Sequence, residues 1–153
     1  MELQDRIDLL YQKPPQAAYE SLKYLEAESE NSSAVYPWWD TFVALMEDQN
    51  SYRRNRGLRL LAVNAKWDRA GRLDDTLALY LTHIQDPKPI TARQSIQNLP
   101  LIAQARPDLI PTIRHALQNA DFSGYGDSMR PLLLGDTVSV LKELDGLEEG
   151  AAE

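Results

Sequence analysis

Apolar residues recur at spacings of three and four along nearly the whole chain, and proline or polar clusters interrupt them at short intervals. That period places each apolar set on one face of a helix. Alternating β-branched runs and hairpin dipeptides, the marks of strands, are nearly absent. Leu3, Ile7 and Leu10 form a first stripe, stopped by Pro14 and Pro15. A second carries Ala18, Leu22 and Leu25 and ends in the polar run ESENSS. Pro37 opens a third, with Trp39, Phe42, Val43 and Met46. Leu58, Leu61, Ala62 and Ala65 follow the loop EDQNS, and Leu73, Leu77, Tyr80, Leu81 and Ile84 follow DRAGR. After QDPKP come Ile96, Leu99 and Ala103, and Pro107 starts a stripe of Ile110, Ile113 and Leu117. Beyond NADFSGYGDS, the last stripe holds Leu133, Val140, Leu141 and Leu144. The pattern predicts an all-α fold of about eight helices. One domain is expected over residues 1–146, with a flexible acidic tail over 147–153.

The helices look periodic. Segments starting at Tyr52 and Thr91 align at a shift of 39, which sets Arg54 on Arg93, Leu60 on Leu99 and Val63 on Ile102. A loop aspartate precedes each arginine: Asp48 before Arg54, Asp86 before Arg93, and more loosely Asp121 before Arg130. The helices opened by Pro37, Arg72 and Pro107 then take the second place in each unit. Helix pairs repeating at about 40 residues are the signature of an α-solenoid.

A loop aspartate, an arginine early in the first helix, and small or apolar residues three and seven positions later resemble HEAT-type repeats. Here those positions are Arg54, Gly57 and Leu61, then Arg93, Ile96 and Pro100; Arg130 and Leu133 form a third copy with Thr137 in the last place. Pro100 departs from the pattern and is expected to kink its helix. The resemblance spans roughly residues 37 to 144 and implies a right-handed α-α superhelix, a solenoid of the HEAT or armadillo-like kind. The chain also resembles small bacterial HEAT-like proteins, some labelled SufBD-like for iron–sulfur assembly. With no cysteine and two histidines, it has few ligands for a cluster.

No disulfide or thiolate metal site can form without cysteine, and a reducing cytoplasm is compatible. The start of the chain carries Glu2, Asp5 and Asp8 rather than the basic opening of a secretory signal. No stretch approaches the roughly 18 uninterrupted apolar residues of a membrane span. These features predict a cytoplasmic protein that does not enter membranes. His83 and His115 read as surface histidines, so neither a metal nor a cofactor is expected. No nucleophile–base pair stands out in the spacing, and a non-catalytic protein is expected.

The segment from Tyr52 to Arg72 holds seven basic residues and one acid in a chain of net charge -7. On a helical wheel the arginines part company. Arg54 points with Leu58 toward the core, Arg53 and Arg56 lie roughly opposite, and Arg59 and Lys66 take a third direction near Asn55. Arg54, Arg93 and Arg130 are therefore read as structural, since a partly buried guanidinium must be paired. Arg53, Arg56, Arg59, Trp67, Arg69 and Arg72 remain as an alternative basic edge. Trp39 is read as core, and Trp38 as half exposed.

If second helices line the concave side, that side presents Asp40, Asp74, Asp75, Asp108, Thr112 and His115. It would repel a phosphate backbone and suit a basic or amide-rich peptide, so nucleic acid is not the expected ligand. The leading expectation is a scaffold or adaptor that binds a protein or peptide partner through this acidic face. A rival follows from a second resemblance, to DNA glycosylases for alkylated purines built on HEAT-like arrays, for which Trp67, Asp68, Arg69 and Arg72 supply the residue types. A third possibility is an assembly module that extends a larger complex through its end helices.

Overall fold

A computed structural model describes residues 1–12 and 15–152. Among them there are eight α-helices and no strand. They are α1 (Leu3–Asp8), α2 (Pro15–Asn31), α3 (Trp39–Met46), α4 (Ser51–Asn64), α5 (Leu73–Thr82), α6 (Pro89–Ala105), α7 (Ile110–Gln118) and α8 (Arg130–Ala152). The break at Pro14 lies outside the described residues. Pro15 does open α2, where its missing N–H costs nothing. No helix of the described residues is long and apolar enough to cross a membrane.

Local chemistry sets the ends. Glu2 and Asp5 form a capping box on α1. The Asn50 side chain accepts from the N–H groups of Tyr52 and Arg53 at the head of α4. Asp68 accepts from the N–H groups of Arg72 (2.9 Å) and Leu73 (2.8 Å), and so caps α5. Asp86 takes the N–H of Lys88 at the head of α6. Single 3₁₀ turns over Ala65–Trp67 and His83–Gln85 extend α4 and α5 into these loops. Helix α6 continues through Pro100 to Ala105. The segment from 147, expected as a flexible tail, continues α8 to Ala152.

The contacts define one row of helices. Helices α2, α4, α6 and α8 lie side by side in that order, and α3 lies along the back of α4. The helices share one continuous core that includes Trp39, Phe42, Leu61, Tyr80, Leu99 and Leu133. Each fully buried side chain of this size contributes about 1.5–3 kcal/mol. Gly57 marks the closest approach of α3 and α4. A Cβ there would lie 2.6 Å from the Phe42 carbonyl oxygen and 2.7 Å from the Leu45 Cβ.

This packing differs from the expected pairing of helices. Helix α4 pairs mainly with α3 before it, and not with α5 after it. Helix α3 packs on α4 and α7 on α8, while α6 meets the 3₁₀ turn that ends α5; the helices led by Pro37 and Pro107 therefore come before the helix they pack on. The loop aspartates are also used differently. Arg54 does not bind the side chain of Asp48; it reaches forward to Asp86 in the loop before α6. Arg93 likewise reaches forward to Asp136 in α8. Arg130 pairs with Asp127 in the loop just before it. Thr137, the polar residue of the third copy, still faces the core, because its hydroxyl donates to the Leu133 carbonyl at 2.8 Å.

Candidate binding groove

One side of α4 carries Tyr52, Asn55, Arg59 and Val63, and Lys66 in the 3₁₀ turn after it continues this mostly polar stripe at helical spacing. It forms the floor of a groove whose walls are α2 and α6. Arg59 crosses the floor. Its Nε donates to Glu26 Oε1 on α2 at 3.0 Å, and its Nη1 donates to Asn98 Oδ1 on α6 at 2.6 Å. The guanidinium thus divides the groove into two clefts in line. One, of about 510 Å³, lies among Glu26, Glu30, Val63, Lys66, Leu101 and Gln104. The other, of about 500 Å³, lies among Tyr19, Leu22, Tyr52, Asn55, Gln94 and Gln97. Volumes of this order suit a few residues of an extended ligand.

The chemistry of the groove is amide-rich and mixed in charge. Asn55, Gln94, Gln97, Asn98 and Gln104 offer donors and acceptors together. Lys23, Arg59 and Lys66 stand against Glu26 and Glu30. Tyr19 and Tyr52 are 55% and 64% exposed at one mouth, so two aromatic rings border a polar slot. The sequence did group Arg59, Lys66 and Asn55 in one direction on the wheel. It could not show that α2 and α6 rise on either side of them.

The acidic residues sit elsewhere. Asp40, Asp74 and Asp108 recur every 34 residues near the heads of α3, α5 and α7. Arg72 pairs with Asp40, and Arg106 pairs with Asp74 (2.7 Å) and Asp108 (2.8 Å). The expected face without lysine or arginine is thus a ladder in which each step is bridged by an arginine. Arg106 holds the Asp108 carboxyl below the usual carboxylate range. Asp75, Thr112 and His115 are exposed. His115 lies 3.3 Å from the Asn119 amide nitrogen.

The basic edge also separates. Arg56 is buried, and its Nη1 donates to the Leu10 carbonyl at 2.7 Å. It belongs with the structural arginines rather than with a surface patch. Arg53 donates to the Tyr11 carbonyl at 2.7 Å and pairs with Asp48. The Trp67 indole donates to the Ser29 carbonyl at 2.7 Å. Asp68 caps α5 and accepts the Tyr36 hydroxyl at 2.5 Å. Burial, and then that bond to Asp68, pushes the Tyr36 hydroxyl up to about 12. Arg72 is held by Asp40 and Arg69 is exposed. The tryptophan and the carboxylate that a base-excision reading requires are thus committed to packing and capping.

A junction missed in the sequence surrounds Asp86. The carboxylate is 2% exposed. It accepts the Arg54 fork, the Lys88 N–H and His83 Nδ1 at 2.9 Å. His83 is therefore buried and not a surface residue. The signal was present, because Asp86 stands three residues after His83. Burial alone would raise the Asp86 carboxyl. The bonds from Arg54, His83 and Lys88, together with the Arg54 charge, outweigh burial and lower it.

No family model, curated protein or solved structure matches this chain.

Proposed function

We propose that this chain is a non-catalytic helical-repeat scaffold that holds an extended peptide segment of a protein partner along the α2–α4–α6 groove. In this reading the stacked hairpins are a short solenoid of the HEAT or armadillo-like kind, wound as a right-handed α-α superhelix, with α2, α4 and α6 on its inner side. The observation that carries the reading is the pair of aligned clefts on either side of Arg59. An extended peptide exposes N–H and C=O groups along both edges, and side-chain amides can satisfy both kinds. The exposed tyrosines add apolar area at one mouth. The arginine-bridged aspartates then act mainly as a ladder between successive hairpins.

A displayed library of random peptides, selected against the chain, tests this reading. Selected peptides should lose binding at least tenfold to Asn55→Arg or Gln97→Arg, each of which places a long cation in the Tyr19–Gln97 cleft. They should bind the Asp40→Asn, Asp74→Asn, Asp108→Asn triple variant as they bind the parent. The opposite result, with binding lost only in the aspartate triple, would return the site to the acidic ladder.

A further inference from the structure

Three of the four arginines of α4 have a carboxylate partner: Arg53 has Asp48, Arg54 has Asp86 and Arg59 has Glu26. The fourth, Arg56, has none among the described residues, although it is only 7% exposed. Its Nη1 donates to the Leu10 carbonyl, while Nε and Nη2 make no hydrogen bond among those residues. Burial, and then the Arg53 charge, lowers the Arg56 guanidinium from its ordinary value, so its surroundings oppose this cation rather than balance it. Arg56 lines the Tyr19–Gln97 cleft. Tyr52, Asn55, Arg56 and Arg59 follow at i, i+3, i+4 and i+7, which sets them on one face of α4. Asn55 Oδ1 is buried and has no hydrogen-bond partner among the described residues. The charged groups of the cleft are Lys23, Arg56, Arg59 and Glu26. Lys23 and Arg59 share that one acid, at 3.5 Å and 3.0 Å. The cleft is thus short of negative charge in a chain of net charge -7.

We propose that this cleft takes an Asp or Glu side chain of the bound peptide, with the Arg56 guanidinium as its counter-ion and Asn55 Oδ1 accepting a peptide N–H beside it. This rests on the groove being a peptide site. A carboxylate meets a guanidinium in a planar fork, and such charge-assisted bonds are about twice as strong as neutral ones. The desolvation of Arg56 is already incurred in the free chain, so only the incoming carboxylate must shed water. A cationic ligand group is disfavoured, because the Tyr19 ring already has Lys23 Nζ 5.4 Å from its centroid. A run of phosphates is disfavoured as well, because the groove continues past Arg59 between Glu26 and Glu30. The site suits a single negative charge.

Peptides selected from the random displayed library should share one Asp or Glu. Replacing that residue by Asn or Gln should weaken binding about tenfold or more. Asn55→Asp tests the same charge from the protein side. It keeps the acceptor oxygen and the shape of the cleft and places a carboxylate beside Arg56, whereas Asn55→Arg blocks the cleft by its bulk. Asn55→Asp should weaken the acidic peptide about tenfold or more and leave its amide analogue nearly unchanged, a coupling between the two sites. Gln94→Glu should do the same from α6, with the helical circular dichroism unchanged in both variants. Equal losses for the acidic peptide and its analogue would overturn the proposal. So would peptides that lose binding to Gln97→Arg yet tolerate replacement of every acidic residue, a result that leaves the groove standing as the peptide site. A chain that selects no peptide sensitive to Gln97→Arg would overturn the peptide site and this inference with it.

Discussion

Arg54 and Asp86 meet in a two-bond fork, with Nε 2.8 Å from Oδ2 and Nη2 2.8 Å from Oδ1. The remaining Nη1 of Arg54 donates to the carbonyls of Asp48 and Gln49. One guanidinium therefore joins the loop before α4 to the loop before α6. Tyr125 adds a third segment through its hydroxyl, 2.6 Å from the Asp86 carbonyl. Asp86→Asn removes the charge that holds a nearly buried cation and is expected to cost about 3 kcal/mol or more in urea unfolding. Arg54→Lys keeps the charge and loses the fork, so most of that cost should persist.

The same junction sets an acid limit. The folded Asp86 carboxyl lies below its ordinary value of 3.8, so the unfolded chain takes up a proton first as pH falls. Its contribution is fully present well above pH 3.8 and declines as pH drops below that value toward the folded pKa. Unfolding measured from pH 6 downward should show the parent losing stability steeply in the acid limb. Asp86→Asn should lose less there, and the two curves should converge.

Gly57 is required by the α3–α4 crossing and not by its backbone angles. Gly57→Ala adds one methyl at 2.6–2.8 Å from backbone atoms of Phe42 and Met46. The two helices must separate, at a cost of about 1–3 kcal/mol despite the better helix propensity of alanine. A Gly146→Ala control, on open α8 surface, should leave stability equal or slightly higher.

Arg56 ties the N-terminal hairpin to α4 through the Leu10 carbonyl. Arg56→Ala should release this end locally. Amide exchange in residues 3–12 should accelerate at least tenfold while α6 and α8 keep their protection.

The ladder of Asp40, Asp74 and Asp108 is exposed, and its ion pairs are screened by solvent and salt. Asp40→Asn with Asp74→Asn should lower the thermal midpoint slightly at low ionic strength. The difference should shrink toward zero in about 0.5 M salt.

The helical class, the count of helices and most of the buried stripes follow from the sequence by itself. A 3.6-residue period acts within one segment, and Leu58, Leu61, Tyr80 and Leu99 declare their faces locally. Trp39 in the core and the inward bias of Arg54 were legible for the same reason. Which helix pairs with which was not, because both loops flanking α4 are short and permit either neighbour. Nor could spacing show that Arg54 reaches forward to Asp86, that Arg56 and His83 are buried, or that Arg59 spans a groove. Each depends on what another segment brings to within 3 Å. Period is a property of one helix, whereas partnership is a property of two, and only the packed chain decides it.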